Sequence, residues 1–181
     1  MAIQRRCDAV ALGWAKQATA YAQDKMVGLM KDLIFRRAET SDLPTIIVML
    51  ADDILGRQRE DPSSPPNVKY LEAFRAIQAD PNQLAAVATL NGDVIGSLQI
   101  TFIPGLGRQG AWRGQIEAVR IAAKHRGSGL GQRMFEWAIE QCRARGCKIV
   151  QLTTDKARVD AHRFYDRLGF IASHVGYKLT L

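Results

Sequence analysis

The stretch Arg126-Gly127-Ser128-Gly129-Leu130-Gly131 decides how this chain is read. It joins an apolar run, Ile116 to Ile121, to a helical stripe of Leu130, Met134, Phe135, Ala138 and Cys142. A strand, a glycine-rich turn and a helix in that order suit an anion: glycines let the backbone approach a ligand, and the first helical turn presents unpaired N–H groups in a favourable dipole field. Arg126 can add charge-assisted hydrogen bonds. The plainer alternative is a tight turn into a helix. Competing phosphate motifs fail on spacing. The dinucleotide fingerprint needs a glycine where Gln132 stands, and the Gly-Lys-Ser/Thr ending of a P-loop occurs nowhere in the chain. Ser128 lacks the flanking glycines of a nucleophile elbow, since Arg126 and Leu130 hold those places.

Outward from this stretch the pattern is regular. Leu33 to Arg37 is a short β-run, and Thr40-Ser41-Asp42 offers caps for a helix carrying Leu43, Ile46, Ile47, Met49 and Leu50, with Pro44 tolerated in the first turn. Asp61 to Asn67, with three prolines, is a loop, and Tyr70, Leu71, Phe74 and Ile77 recur after it at helical spacing. Leu84 to Leu90 and Val94 to Ile103 flank Asn91-Gly92-Asp93, a strong hairpin signal. A Gly-rich loop, Pro104 to Gly114, leads into the strand at Ile116. Beyond the long helix, Ile149 to Thr154 reads as a strand, and a last helix carries Ala161, Phe164, Tyr165 and Leu168 and stops at Gly169. Phe170 to Ser173 and Tyr177 to Leu181 read as closing strands. The predicted order is β-α-α-β-β-β-α-β-α-β-β.

The run Val119 to Gly131 resembles the acetyl-CoA-binding motif of the GNAT N-acetyltransferase superfamily, whose core is Arg/Gln-x-x-Gly-x-Gly/Ala. Ala161-His162-Arg163-Phe164-Tyr165-Asp166-Arg167-Leu168-Gly169-Phe170 is similar to that family's late helix, an Ala followed by an aromatic pair and Leu-Gly-Phe. The likeness spans about Leu33 to Leu181, in the right order and spacing. It implies an α/β fold: a mixed twisted sheet of about seven strands, flanked by about four helices, whose fourth and fifth strands splay to admit the pantetheine arm. Ile116 to Ile121 and Ile149 to Thr154 would be those two strands. It also implies that backbone groups of Val119 and Ile121 bond the pantetheine and that amides of Arg126, Gly127, Ser128, Gly129, Leu130 and Gly131 hold the pyrophosphate. Where the family often has an Asn that contacts the coenzyme, this chain has Arg158, read as a phosphate or substrate contact or as an exposed side chain.

The reaction the resemblance implies brings an amine and a thioester together in one complex, so orientation supplies much of the rate. The amine must be neutral to attack, which invites a base, and the departing thiolate benefits from an acid. Tyr165 stands where the family keeps its acid tyrosine; the competing reading is a core tyrosine. Glu117, a carboxylate in an otherwise apolar strand, is the candidate base, activated if burial raises its pKa, or else a mouth-lining charge paired with an Arg. Strand alternation puts Glu117, Val119 and Ile121 on one face unless a bulge intervenes. His162 is read as a surface partner of Asp166 one turn on, and Cys142 as core. The resemblance implies acetyl-CoA as co-substrate, and because no His-Glu-x-x-His or Cys-x-x-Cys spacing occurs no metal is expected.

A length of 181 residues with 47% apolar residues is enough for one packed domain. Residues 33–181 are assigned to the catalytic domain and residues 1–32 to an N-terminal extension. In it Val10, Trp14, Ala18 and Tyr21 fall at helical spacing; a docking helix, a tail and a start at Met26 or Met30 all stay open. Three cysteines without a pairing pattern favour a reducing, cytoplasmic setting, and no run approaches the ~20 apolar residues of a membrane span. The net charge of +7 divides unevenly. Residues 111–181 carry 13 Lys and Arg against 6 Asp and Glu, whereas residues 41–110 carry 5 against 8. The basic end matches a coenzyme's phosphates. The acidic middle, including Asp52, Asp53, Glu60 and Asp61, predicts a small cationic amine or Lys-like amine as acceptor, bound by residues 42–67 and 103–112. The rival class is a coenzyme-sensing or basic nucleic-acid-binding module without turnover. Aromatics do not interleave with Arg and Lys as base stacking requires, so neither nucleic acid nor membrane is expected as a partner, and a homodimer is left open.

Overall fold

Among the described residues, five strands form one sheet in the order β1-β2-β3-β4-β5. The computed structural model describes residues 32–53 and 56–181, so the expectations for the helix around Val10 to Tyr21 and for the alternative starts at Met26 and Met30 lie outside the described residues. Strands β1 (Leu33–Arg37), β2 (Gln83–Leu90), β3 (Asp93–Ile103) and β4 (Arg113–Ile121) are successively antiparallel. Strand β5 (Ile149–Leu152) joins β4 in parallel. The hairpin between β2 and β3 turns at Asn91 and Gly92, both at positive φ (53° and 88°), as a two-residue turn matched to strand twist demands.

Helices cover both faces. On one, α1 (Leu43–Ala51) and α2 (Val68–Ala79) close a core of Ala38, Leu43, Ile47, Phe74 and Val87. A single turn, α3 (Gly107–Gly110), interrupts the loop before β4. On the other face, α4 (Leu130–Ala144) buries Leu130, Met134, Phe135, Ala138 and Cys142, the stripe read from the sequence. Fully burying each large apolar side chain is worth about 2 kcal/mol. Helix α5 (Val159–Arg167) lays Phe164 and Tyr165 against the same core and ends at Gly169 (φ +85°), where the Phe170 N–H bonds the Tyr165 carbonyl at 3.1 Å. At Gly114 a Cβ would run into Cys142 Sγ, so glycine lets α4 close on β4.

The sheet corrects the expectation of about seven strands. Phe170 to Ser173 and Tyr177 to Leu181 form no ladder, and β5 stops at Leu152 rather than Thr154. Phe170 packs on the core, 6.0 Å from the Phe135 ring, but Ile171, Val175, Tyr177, Leu179 and Leu181 are exposed. Apolar alternation describes fit to a pleated neighbour, and here no strand lies alongside to supply it.

One ion pair locks the entrance to α1. Buried Asp42 accepts Arg36 Nη1 and Nη2 at 2.6 and 2.9 Å and the Glu39 N–H at 2.8 Å. The Arg36 hydrogen bonds hold its carboxyl below the usual Asp range against an opposing effect of burial. A depressed folded-state pKa contributes stability above the unfolded value, and that contribution is lost as pH falls through the folded one. Asp42→Asn is therefore expected to lower unfolding free energy by about 2 kcal/mol at neutral pH, with parent and variant converging in strong acid. Urea unfolding against pH measures it; a pH-independent gap would refute the assignment.

Candidate functional site

Parallel pairing of β4 with β5 runs from Arg113↔Ile149 to Ile116↔Leu152 and ends there, while β4 continues five residues to Ile121. Past Ile116 the ladder stops because β5 ends at Leu152, leaving a run of β4 backbone without a strand on that edge. Within that run β4 holds a bulge. Its register against β3 steps from Gln99↔Glu117 to Ser97↔Arg120, one extra residue on β4, and Ala118 sits at φ +51°. The bulge corrects the simple alternation. Ile116, Val119 and Ile121 pack in the α4 core, so Glu117 no longer shares a face with Val119 and Ile121. It shares one instead with Arg120, three residues on, which reaches Asp53 after α1. Glu117 is exposed, which corrects the burial expected of it.

The glycine stretch is a loop into the N-terminus of α4. Gly127 and Gly129 take positive φ (+77° and +80°), and a Cβ on either would meet nothing within 4 Å, so the backbone is open on that side. The first i→i−4 bond of α4 is Arg133 N–H to Gly129 O, which leaves the amides of the preceding turn outside the helical ladder. Ser128 Oγ donates to His125 O at 2.7 Å and braces the loop. Leu130 is core, so only its backbone is available to a ligand, and Gly131 packs on the Phe164 ring. This cradle fits a pyrophosphate through its backbone.

The Arg126 side chain departs from the expected phosphate contact. Its Nε donates to Ile121 O at 3.1 Å, and its Nη2 reaches Asp52 Oδ2 at 2.7 Å and Asp52 O at 3.0 Å. It ties the end of β4 to the segment after α1. His162 likewise departs from its expected partner: Nε2 lies 2.9 Å from Asp155 O, not on Asp166. Cys142 is fully buried beside Cys147, and burial pushes its thiol up to about 12, so it is no nucleophile at neutral pH.

Tyr165 is half-buried, wedged edge-on against Phe135 (5.6 Å), Phe164 (5.6 Å) and Phe170 (6.2 Å). Burial raises its phenol pKa; Arg158 and Arg120 oppose that, which places both guanidiniums in its electrostatic neighbourhood. Arg158, the N-cap of α5, lies 4.0 Å from Asp53 Oδ2, the oxygen that Arg120 Nη2 holds at 3.1 Å. Arg120 is the residue that sequence reading missed. Its signal was present: a guanidinium between Val119 and Ile121 in an apolar strand is costly unless a partner or ligand repays it. Among the described residues no cluster of three His, Cys, Asp or Glu could hold a metal ion, and no helix is long and apolar enough to cross a membrane.

Residues 51–170 match the family described as Acetyltransferase (GNAT) family. An aminoalkylphosphonate N-acetyltransferase from Salmonella typhimurium is 32% identical over 112 residues, 62% of this chain and 72% of that protein. A streptothricin acetyltransferase from Streptomyces lavendulae is 28% identical over 123 residues, which is 62% of this chain but only 61% of that one, under two thirds of its length. The solved structure of a transcriptional regulator from Bacillus halodurans C-125 is 47% identical, with a TM-score of 0.80 over 82% of this chain and 99% of its own.

Proposed function

The chain belongs to the GNAT family of acetyltransferases, and from that premise we propose that it moves an acetyl group from acetyl-CoA to the primary amine of a small molecule by direct attack in a ternary complex. The observation that carries this is the run of β4 backbone left unpaired beyond the end of β5, beside an open glycine cradle at the N-terminus of a 15-residue helix. Backbone groups of Val119 and Ile121 would hold the pantetheine, and the amides from Arg126 to Gly131 the pyrophosphate. Acetyl-CoA supplies an activated acetyl thioester; the family uses it.

The rest falls to side chains of this chain. Glu117, exposed on the bulged strand, attracts an amine that arrives as a cation and accepts its proton, directly or through one water. Tyr165, kept protonated by burial, gives its hydroxyl proton to the sulfur as the carbon–sulfur bond breaks. The names of the two curated relatives, an aminoalkylphosphonate and a streptothricin acetyltransferase, support an amine acceptor. The charge count of residues 41–110 supports it less than expected, because Asp42, Asp52, Asp53 and Glu60 each pair with an arginine.

A thiol-release screen of small amines with acetyl-CoA tests the reading: release that depends on an amine supports it, and release from none refutes it. Glu117→Gln is expected to lower kcat/KM for the amine about a hundredfold while leaving acetyl-CoA KM little changed. Parent-like kcat/KM in that variant would make bulk water the base. The name of the Bacillus halodurans protein, a transcriptional regulator, favours a second reading, coenzyme sensing, which differs in yielding coenzyme binding without product.

A further inference from the structure

We propose that Arg120 and Arg158 form an oxyanion-binding subsite for the acceptor, so that the amine acetylated here also carries a phosphonate, phosphate or carboxylate group. This deepens the acetyl-transfer reading and rests on it. Two guanidiniums converge on a single carboxylate oxygen, Asp53 Oδ2, at 3.1 and 4.0 Å. Asp53 can neutralise one of them, so the cluster keeps a surplus positive charge. The next arginine felt by Arg120, Arg59, has its own carboxylate partner in Glu60, 3.2 Å away.

Arg120 carries most of the argument. Its side chain is only 10% exposed, and its Nη1 donates to Val119 O at 2.9 Å, yet its buried Nε has no hydrogen-bond partner among the described residues. A guanidinium offers five donors, and leaving one buried and unfilled costs free energy that a bound oxyanion would recover. A loop-tying role alone accounts for Asp53 but not for a second arginine on the same oxygen. Arg158 is half-exposed, at 46%, so the cluster reaches solvent through it, and a planar guanidinium is suited to bidentate capture of a carboxylate or phosphonate.

Position separates this anion from the coenzyme's phosphates. The glycine cradle belongs to α4, whereas Arg120 points to the opposite face of β4, toward the segment after α1. The bulge at Ala118 puts Glu117 on that same face. Amine and oxyanion contacts therefore lie three residues apart on one strand, a separation on the order of 10 Å or less. That span suits an acceptor whose two charged ends are a few bonds apart, and it disfavours a long polyamine, which offers the two arginines a second cation.

Thiol release is compared for matched acceptors of one chain length: 2-aminoethylphosphonate, β-alanine, propylamine and 1,3-diaminopropane. The expected result is a kcat/KM at least about thirtyfold higher for one of the oxyanion-bearing amines than for propylamine, with the diamine worst. Arg158→Gln should lower kcat/KM for the favoured anionic amine about tenfold or more and collapse its lead over propylamine, while leaving acetyl-CoA KM within about twofold. Calorimetric titration of the favoured amine into protein holding CoA gives a readout independent of turnover, and Arg120→Lys, melted alongside the parent, tests whether a point charge without the fork suffices. Equal use of propylamine, or a variant whose loss falls on acetyl-CoA KM, overturns the subsite and leaves acetyl transfer standing. Thiol release from none of these amines, nor from any in the wider screen, would bring down the transfer reading itself. The ratio of phosphonate to β-alanine identifies which oxyanion the arginines select.

Discussion

Tyr165→Phe is expected to lower kcat by about a hundredfold or more, with acetyl-CoA KM little changed. The ring is held edge-on by Phe135, Phe164 and Phe170, and phenylalanine keeps those contacts, so what is lost is the hydroxyl alone. Burial is the largest influence on that hydroxyl and favours its neutral, proton-bearing form, the state a general acid needs. Arg158 and Arg120 pull the other way, so removing either should move the phenol pKa further up and carry the alkaline fall of kcat to higher pH. Steady-state kinetics of Tyr165→Phe beside a tyrosinate absorbance titration of Arg158→Gln checks both. Parent-like turnover in Tyr165→Phe would make Tyr165 a packing residue and leave the thiolate to depart unprotonated.

Gly129→Asp is expected to raise the acetyl-CoA Kd about a hundredfold or more while leaving the fold in place. Gly129 caps α4 at φ +80°, a conformation Asp tolerates better than most residues, and its added Cβ meets nothing within 4 Å. A carboxylate at that helix N-terminus suits the dipole, so stability should change little. It also puts negative charge where the backbone amides are assigned to the pyrophosphate, and like charges there repel at close range. Gly129→Asn separates charge from shape and should lose far less affinity. Titration of CoA into the three proteins measures it; equal affinity for the Asp variant would place the phosphates elsewhere.

What could be read from the sequence was whatever a local period or turn encodes. The α4 stripe, the Asn91-Gly92 hairpin and the stop at Gly169 depend on neighbours a few residues away, and each occurs where the spacing puts it. The family motifs around Arg126 to Gly131 and Ala161 to Phe170 are local too. Legibility failed where a partner distant in sequence decides the outcome. Alternation cannot say that Ile171 to Leu181 finds no adjacent strand, nor that a single extra residue at Ala118 turns Glu117 away from Val119 and toward Arg120. The motif reads the Arg126 side chain as a phosphate contact, and it cannot show the partner this side chain holds here, Asp52, 74 residues away. The charge of the middle segment is likewise only partly legible: a count of carboxylates along the chain does not show that Asp42, Asp52, Asp53 and Glu60 each pair with an arginine.

Direct attack within one complex is the claim on which Tyr165, Glu117 and the cradle all depend, and mass spectrometry of a single turnover tests it most directly. Protein mixed with acetyl-CoA alone should keep its unmodified mass. On addition of the amine that the thiol-release screen identifies, the acetyl group should appear on that amine's nitrogen in step with free coenzyme thiol. An acetyl group left on the protein, or thiol released without an acetylated amine, would contradict direct transfer.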